Sequence, residues 1–221
     1  MHVVVNAAMS ADGKLSSRRR DQVRISGPED FARVDALRAD CDAVMVGVGT
    51  ALADDPHLTV EDPDLRAERR EHGDPDHPAR IVVDTHARTP PDARVLDDVA
   101  RSAVAVGEDA PDDRCSALRD AGTHLVTAGT ERVDLAAALD ELEAEGIDRL
   151  LIEGGGEVLF SAFEAEVVDE LSVYVGSLLI GGRDAPTLAD GEGFVDGFPE
   201  LTLADIERLD DGVVLSYTIG D

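Results

Sequence analysis

Lysine is almost missing from this 221-residue chain: Lys14 stands alone among 20 basic residues, the rest being arginine. Against 48 acidic residues these leave a formal charge of −28, which argues against binding DNA, RNA or an anionic membrane through a broad electropositive face. Cysteine is scarce too. Cys41 and Cys115 fit neither C-x-x-C nor a Cys/His metal spacing, so no disulfide framework is implied and two reduced thiols are expected. No segment reaches the roughly 18 apolar residues of a membrane span, and the opening MHVVVNAAMSADGK lacks a basic n-region. A soluble, cytoplasmic protein is expected. Internal repeats and linkers are absent as well, so residues 1–221 read as a single domain.

Hydrophobic residues make up 43% of the chain and fall in periodic blocks, which favours a folded domain over acidic disorder. A surface rich in Asp and Glu and nearly free of lysine suits a halophilic cytoplasm, where salt screens the self-repulsion.

Strand and helix signals alternate along most of the sequence. Residues 3–8 open a β-branched strand, and the turn chemistry of Asp12 and Gly13 precedes Lys14. Ser26 to Glu29 matches a capping box for a helix over 28–39, with Phe31, Val34 and Leu37 at helical spacing. Strands follow at 42–49, 80–84, 102–106, 124–127 and 150–152, with a turn or short helix at 50–56. Helices are expected at 112–121, closed by Gly122, and from the Asp134 cap to Gly146. The polar segment 61–78 predicts no rigid element, so its His72, His77, Asp74 and Asp76 are not expected to hold a metal. A long strand over 170–180, a glycine-rich loop over 184–198, and strands 201–209 and 213–219 joined at Asp210-Asp211-Gly212 complete the chain. The predicted fold is three-layer α/β, a mostly parallel sheet with helices on both faces and an antiparallel C-terminal hairpin.

One stretch organises the chemistry. In DRLLIEGGGEVLFSAF, residues 148–163, a buried strand ends in Glu153, and Gly154, Gly155 and Gly156 lead into a helix opening at about Glu157. Residues without Cβ admit a ligand to the backbone, and a helix N-terminus aims N–H groups at an anion. The same turn can also be a bare strand-to-helix connection. The lone Lys14 suggests a place that arginine cannot fill, such as a compact ammonium beside a phosphate or carboxylate. The arginines at 18, 19 and 20 could meet a phosphorylated substrate or simply be solvated. VGVGTAL lacks the third glycine of a dinucleotide fingerprint, so a Rossmann site is unsupported.

Taken together, MSADGK, VGVGTALADDPHLTV, RIVVDTHARTP and LLIEGGGEVLFSAF, with VDELSVYV, GGRDAPT and GEGF behind them, resemble the riboflavin-biosynthesis reductases. That family has a dihydrofolate-reductase-like fold and includes the carboxyl-terminal domain of bacterial RibD proteins. The similarity is to its stand-alone archaeal members. The zinc-deaminase motifs H-x-E and P-C-x-x-C do not occur, so deamination is not expected. The resemblance implies hydride transfer from NADPH, with NADH as the other option, to C1′ of a phosphorylated ribosylaminopyrimidine, giving a ribitylamino product. By similarity Thr50, Asp54, Asp84 and Thr85 contact the cofactor, while Gly154, Gly155, Gly156 and Glu157 cradle its phosphates. Ser26, Arg38, Leu58 and Glu153 would hold the substrate, and Asp12, Lys14 and Glu153 are the catalytic candidates. Many members carry an arginine for the substrate phosphate where this chain has Glu61. Lys14, Arg38 and Arg18 to Arg20 are then the candidate cations. The resemblance also implies a homodimer. Competing readings are reduction of the deaminated pyrimidine, dihydrofolate reduction, and a nucleotide-binding regulator without turnover.

Overall fold

A computed structural model describes residues 1–21 and 23–220. The chain divides into two compact units, one of Met1 with Asp35–Leu151 and one of His2–Val34 with Ile152–Asp221.

In the first unit β2 (Ala43–Gly47), β3 (Ala79–Val83), β4 (Ser102–Val106) and β5 (His124–Thr127) pair in parallel in the order β5-β4-β3-β2. Continuous apolar runs form these strands because parallel sheets are covered on both faces. Val44, Met45, Ile81, Val82 and Val104 are accordingly fully buried. Gly47 pairs with Val83 and Val83 with Ala105, so the carboxyl ends of β2, β3 and β4 are level and form one edge. β6 (Arg149–Ile152) lies next to β2, and the Asp42 N–H donates to Arg149 O at 2.9 Å.

Helices of this unit follow their local signals, with one exception. α5 (Leu135–Ala144) is capped by the Asp134 side chain, which accepts from Ala137 N, and it buries Leu135, Ala138, Leu139 and Leu142, the one-sided stripe its spacing demands. α2 (Val48–Asp54) and α4 (Asp112–Asp120) stand where expected. The polar segment 61–78, read from sequence as structureless, instead contains α3 (Pro63–His72). Asp62 caps it by accepting from Asp64 N, Pro63 opens it, and Gly73 ends it at φ 95°. Its buried anchor is Arg69, whose guanidinium donates to Ala39 O, Cys41 O and Pro75 O at 2.6–2.9 Å. A helix held by a buried arginine shows no apolar stripe to read.

In the second unit β1 (His2–Ser10) pairs in parallel with β7 (Glu170–Gly176), β7 antiparallel with β9 (Gly212–Ile219), and β9 with β8 (Leu201–Leu209). β7 stops at Gly176, short of the expected residue 180. A Cβ there would lie 2.6 Å from Ile25 O, so another stretch of backbone crosses at this point. α6 (Gly156–Glu164) buries Val158, Leu159, Phe160 and Ala162.

The capping expectation for α1 (Pro28–Ala39) needs correction. Asp210, in the β8–β9 turn, accepts from Glu29 N at 3.3 Å and Asp30 N at 3.0 Å, and Glu29 Oε2 accepts from Asp210 N at 2.9 Å. This reciprocal pair does the work assigned to Ser26. Gly27 permits it, since a Cβ there would lie 2.4 Å from the Asp210 side chain. Phe31 is exposed, under the Arg24 guanidinium at 5.5 Å. Among the described residues there are nine strands and six α-helices, mostly parallel in pairing, with the antiparallel hairpin at the C-terminal end.

Candidate active site

Cofactor candidates of the first unit stand beyond the level strand ends, where open parallel sheets bind ligands. Thr50 lies in α2 and Asp54 at its last turn. Burial pushes the Asp54 carboxyl up from its ordinary range, and no hydrogen bond to its carboxylate occurs among the described residues. Its neighbour Asp55 differs: it accepts from Arg94 N at 2.8 Å and Arg94 Nε at 3.2 Å. The paired aspartates of ADDP thus divide into a structural one and a half-buried one left for other work.

Asp84 follows β3 and is fully buried. Its Oδ2 accepts from Thr89 N at 2.6 Å and Thr89 Oγ1 at 2.8 Å. Oδ1 has no hydrogen bond among the described residues and lies 3.6 Å from Arg88 Nε. Thr85 O accepts from Gly107 N at 3.1 Å, and Thr85 Oγ1 from Val133 N at 3.4 Å. The sequence reading passed over Arg88 and Thr89, although both lie in the quoted RIVVDTHARTP run.

Two substrate candidates meet in the same unit. Arg38 Nη1 donates to Thr59 O at 3.2 Å, beside Leu58, which is buried and held at φ 54°. The Glu61 and Asp62 N–H groups donate to the two Asp35 carboxylate oxygens at 2.8 Å each, which leaves the Glu61 side chain exposed. His77 Nδ1 accepts from Val60 N at 3.3 Å, and burial, then Arg66, pushes its pKa down. His124, Glu141 and Glu145 form a metal-like cluster among the described residues, but the Arg101 guanidinium already pairs with Glu145. Burial raises the Cys41 thiol to about 11, which keeps it protonated and unreactive.

In the second unit the loop 180–190 ties two candidate groups together. Asp12 accepts from Ser10 Oγ at 2.6 Å, Ile180 N at 3.0 Å and Gly181 N at 2.7 Å. The Ser10 hydroxyl first, then the Ile180 N–H, lower its carboxyl to about 2. Lys14 Nζ donates to Ala185 O at 3.0 Å, Leu15 N donates to Pro186 O at 2.9 Å, and Lys14 bridges Thr187. A few residues on, Asp190 N donates to Gly156 O at 3.0 Å. Asp12, Lys14 and Gly156 therefore share one loop as partner, and Ser10, Thr187 and Asp190 are the supports that sequence missed. Arg18 also backs onto this loop at Gly182. Ser26 is buried, and it is Asp210 that accepts from Glu29 N and Asp30 N at the start of α1.

The three glycines have separate reasons. Gly154 sits at φ 132°, a conformation that side chains disfavour. Gly155 is the N-cap of α6, offers no side-chain cap, and follows a cis peptide bond from Gly154. Gly156 must lack a Cβ, which would lie 2.4 Å from Thr187 O. Gly156 thus has a packing reason of its own, independent of any ligand. The N-cap of α6 thus supplies no side-chain acceptor to the first N–H groups of the helix, an arrangement suited to an anion. Glu153 is half-buried at the end of β6, with Glu157 exposed in the first turn of α6.

A family model described as RibD C-terminal domain matches residues 1–215. Two archaeal proteins, from Archaeoglobus fulgidus and Methanothermobacter thermautotrophicus, are each 44% identical to the chain, over 97% and 100% of it and 96% and 94% of their own lengths. Both are named 2,5-diamino-6-ribosylamino-4(3H)-pyrimidinone 5′-phosphate reductase. A pyrimidine reductase-like protein from Corynebacterium diphtheriae shares the fold at TM-score 0.88 and 21% identity, over 100% of this chain and 92% of that one. Dihydrofolate reductase from Enterococcus faecalis shares it at 0.51 and 12%, over 100% and 97%. No helix among the described residues is long and apolar enough to cross a membrane.

Proposed function

The chain belongs to the RibD C-terminal domain family, and from that premise we propose that it is a riboflavin-biosynthesis reductase. Its substrate is 2,5-diamino-6-(ribosylamino)-4(3H)-pyrimidinone 5′-phosphate, reduced at C1′ to the ribitylamino compound. The observation that carries this reading is the 44% identity, over nearly the full length, to two reductases of that name.

A nicotinamide cofactor, NADPH in this reading, supplies the hydride when bound. The residues fit such a group: among the described residues the buried Asp84 Oδ1 has no hydrogen bond, and the α6 N-terminus has no side-chain cap. In the first unit Thr50, Asp54, Asp84 and Thr85 are assigned to the cofactor, and Arg38 and Leu58 to the substrate. In the second unit Gly154, Gly155, Gly156 and Glu157 offer a phosphate cradle. Glu153 accepts hydrogen bonds from the amino groups of the diaminopyrimidine, and Ser26 is assigned to substrate as well. Asp12, held ionised by three donors, positions the Lys14 turn and gives up no proton near neutral pH. Lys14 is left to serve the departing ring oxygen or, with Arg18 to Arg20, the substrate phosphate.

A second copy of the chain pairs at β8, where Leu201, Leu203 and Ile206 are 41%, 48% and 58% exposed, and a sizing measurement in molar KCl tests the homodimer. We assign the enzyme to a salt-rich cytoplasm on its charge. NADPH and NADH oxidation in molar KCl, with each of the two pyrimidines and with dihydrofolate, tests the function. Turnover with the diaminopyrimidinone supports it, and turnover with neither pyrimidine overturns it.

A further inference from the structure

Within the first unit the segment 55–62, between α2 and α3, lies outside every helix and strand. Backbone N–H and C=O groups out of reach of water need partners, and here side chains supply them. Arg38 Nη1 donates to Thr59 O at 3.2 Å, His77 Nδ1 accepts from Val60 N at 3.3 Å, and the Asp35 carboxylate accepts from Glu61 N and Asp62 N at 2.8 Å each. Leu58, at φ 54°, and Val60 are buried on the segment so held. Of these three side-chain types only an imidazole ordinarily changes charge between about pH 5 and 8. An N–H can only donate, so Nδ1 carries its lone pair toward Val60 and the ring proton sits on Nε2. A second proton would set one N–H against another.

Resting on the reductase reading, which assigns Arg38 and Leu58 to the substrate, we propose that His77 is a positioning residue whose neutral ring holds this segment and whose protonation at Nδ1 releases it. The enzyme therefore loses affinity for its pyrimidine in mild acid. The surroundings of the ring favour the neutral form. Arg66 and Arg69 act on it from α3 and Arg80 from β3, against one acid, Asp76, from its own loop. Asp76 is itself paired with Arg70 at 2.7 Å. Arg69 and Arg80 are tied to backbone carbonyls, so neither can turn away from a new positive charge. Burial first, then Arg66, keeps the ring below its ordinary 6.5. A base depressed in this way contributes fully above its ordinary value, and that contribution is lost as pH falls through the folded value. The hold on Val60 is complete near neutrality and gives way on the acid side.

The test compares the wild type with His77→Asn, whose side-chain oxygen reaches the place of Nδ1, accepts from the same N–H and takes no proton. Two readouts are followed in molar KCl between about pH 8 and about pH 5. In amide NMR spectra the Val60 and Glu61 signals of the wild type should titrate together, with a midpoint below 6.5, and those of His77→Asn should stay still. In turnover the wild-type KM for the pyrimidine should rise roughly tenfold more than that of the variant, the loss expected for one such hydrogen bond, while the ratio of their kcat values stays constant. The variant is the necessary reference, because the substrate's own phosphate takes up a proton at about pH 6 in both assays. His77→Ala, with no acceptor, should show the raised KM at every pH. Val60 signals that do not titrate in the wild type, or a KM that climbs equally in wild type and His77→Asn, overturns the inference. If the pyrimidine is still reduced in that case, the function stands without it. Titration of Val60 that vanishes in His77→Asn, in a protein that turns over neither pyrimidine, would remove the function and leave the histidine's hold on the segment.

Discussion

In the proposed reading, Glu153 is the residue whose chemistry bears most directly on substrate choice. A carboxylate only accepts, so it matches the amino groups of a diaminopyrimidine, whereas a glutamine would turn an N–H donor toward them on one side. Glu153→Gln should raise KM for the pyrimidine by roughly ten- to hundredfold, the range expected for a hydrogen bond to a charged group, while the calorimetric Kd for NADPH stays within about twofold. Loss of cofactor affinity with an unaltered KM would put Glu153 on the wrong ligand. Asp12 invites a different test. Its folded-state pKa of about 2 lies below the ordinary 3.8, so whatever it contributes is fully present above pH 3.8 and is lost as pH falls toward 2. It cannot then be the group behind any rate change between pH 5 and 8. The kcat/KM profile of Asp12→Asn should keep the wild-type limbs in that window, at a reduced height because the 180–190 loop loses its clamp at Ile180 and Gly181. Disappearance of a limb would make Asp12 the acid after all.

Elements were legible where the signal was local and apolar. α5 announces itself by an aspartate cap, four aliphatic residues on one face and Gly146 beyond its end, and each of those groups does in the structure what its spacing implies. α3 was illegible because its inward residue is Arg69, which reaches three carbonyls instead of joining an apolar stripe. The glycine turn was half legible. Its open helix end could be read from neighbours in sequence, but the reason for Gly156 lies in Thr187 and Asp190, some thirty positions on. For the same reason Arg88 and Thr89 escaped notice: nothing in HARTP shows that Asp84 is buried and needs both. The cap of α1 is the extreme case, since Ser26 and Glu29 imitate a capping box while Asp210, on the far hairpin, makes the bonds. Asp210→Ala should cost about 1 kcal/mol, a typical cap loss, and lower Tm by roughly 2–4 °C in a chain of this size. Differential scanning calorimetry in molar KCl reads it, and an unmoved Tm would mean that the cap stabilises nothing.

For the molecule as a whole the decisive quantity is the charge of −28. Several ion pairs are in place, among them Arg70 with Asp76, Arg94 with Asp55 and Arg149 with Asp40. Exposed pairs of this kind contribute at most about 1 kcal/mol each, and 20 cations cannot balance 48 acids. The excess repels itself more in the compact state than in an expanded chain. Salt shortens the range of that repulsion from about 10 Å at 0.1 M to about 3 Å at 1 M, which is less than the spacing of most surface carboxylates. Raising KCl across that interval should therefore increase Tm on the order of 10 °C, or roughly 3 kcal/mol at 2–4 °C per kcal/mol. The shape of the curve separates screening from ordinary salting-out. Screening is nearly complete once the Debye length is about 3 Å, so Tm should climb steeply and then flatten, whereas solute exclusion from the surface keeps adding stability with concentration and would appear equally with sucrose. A Tm that is flat from 0.1 to 1 M KCl, or that rises as much in sucrose as in KCl, would mean that the acidic surface is no adaptation to salt.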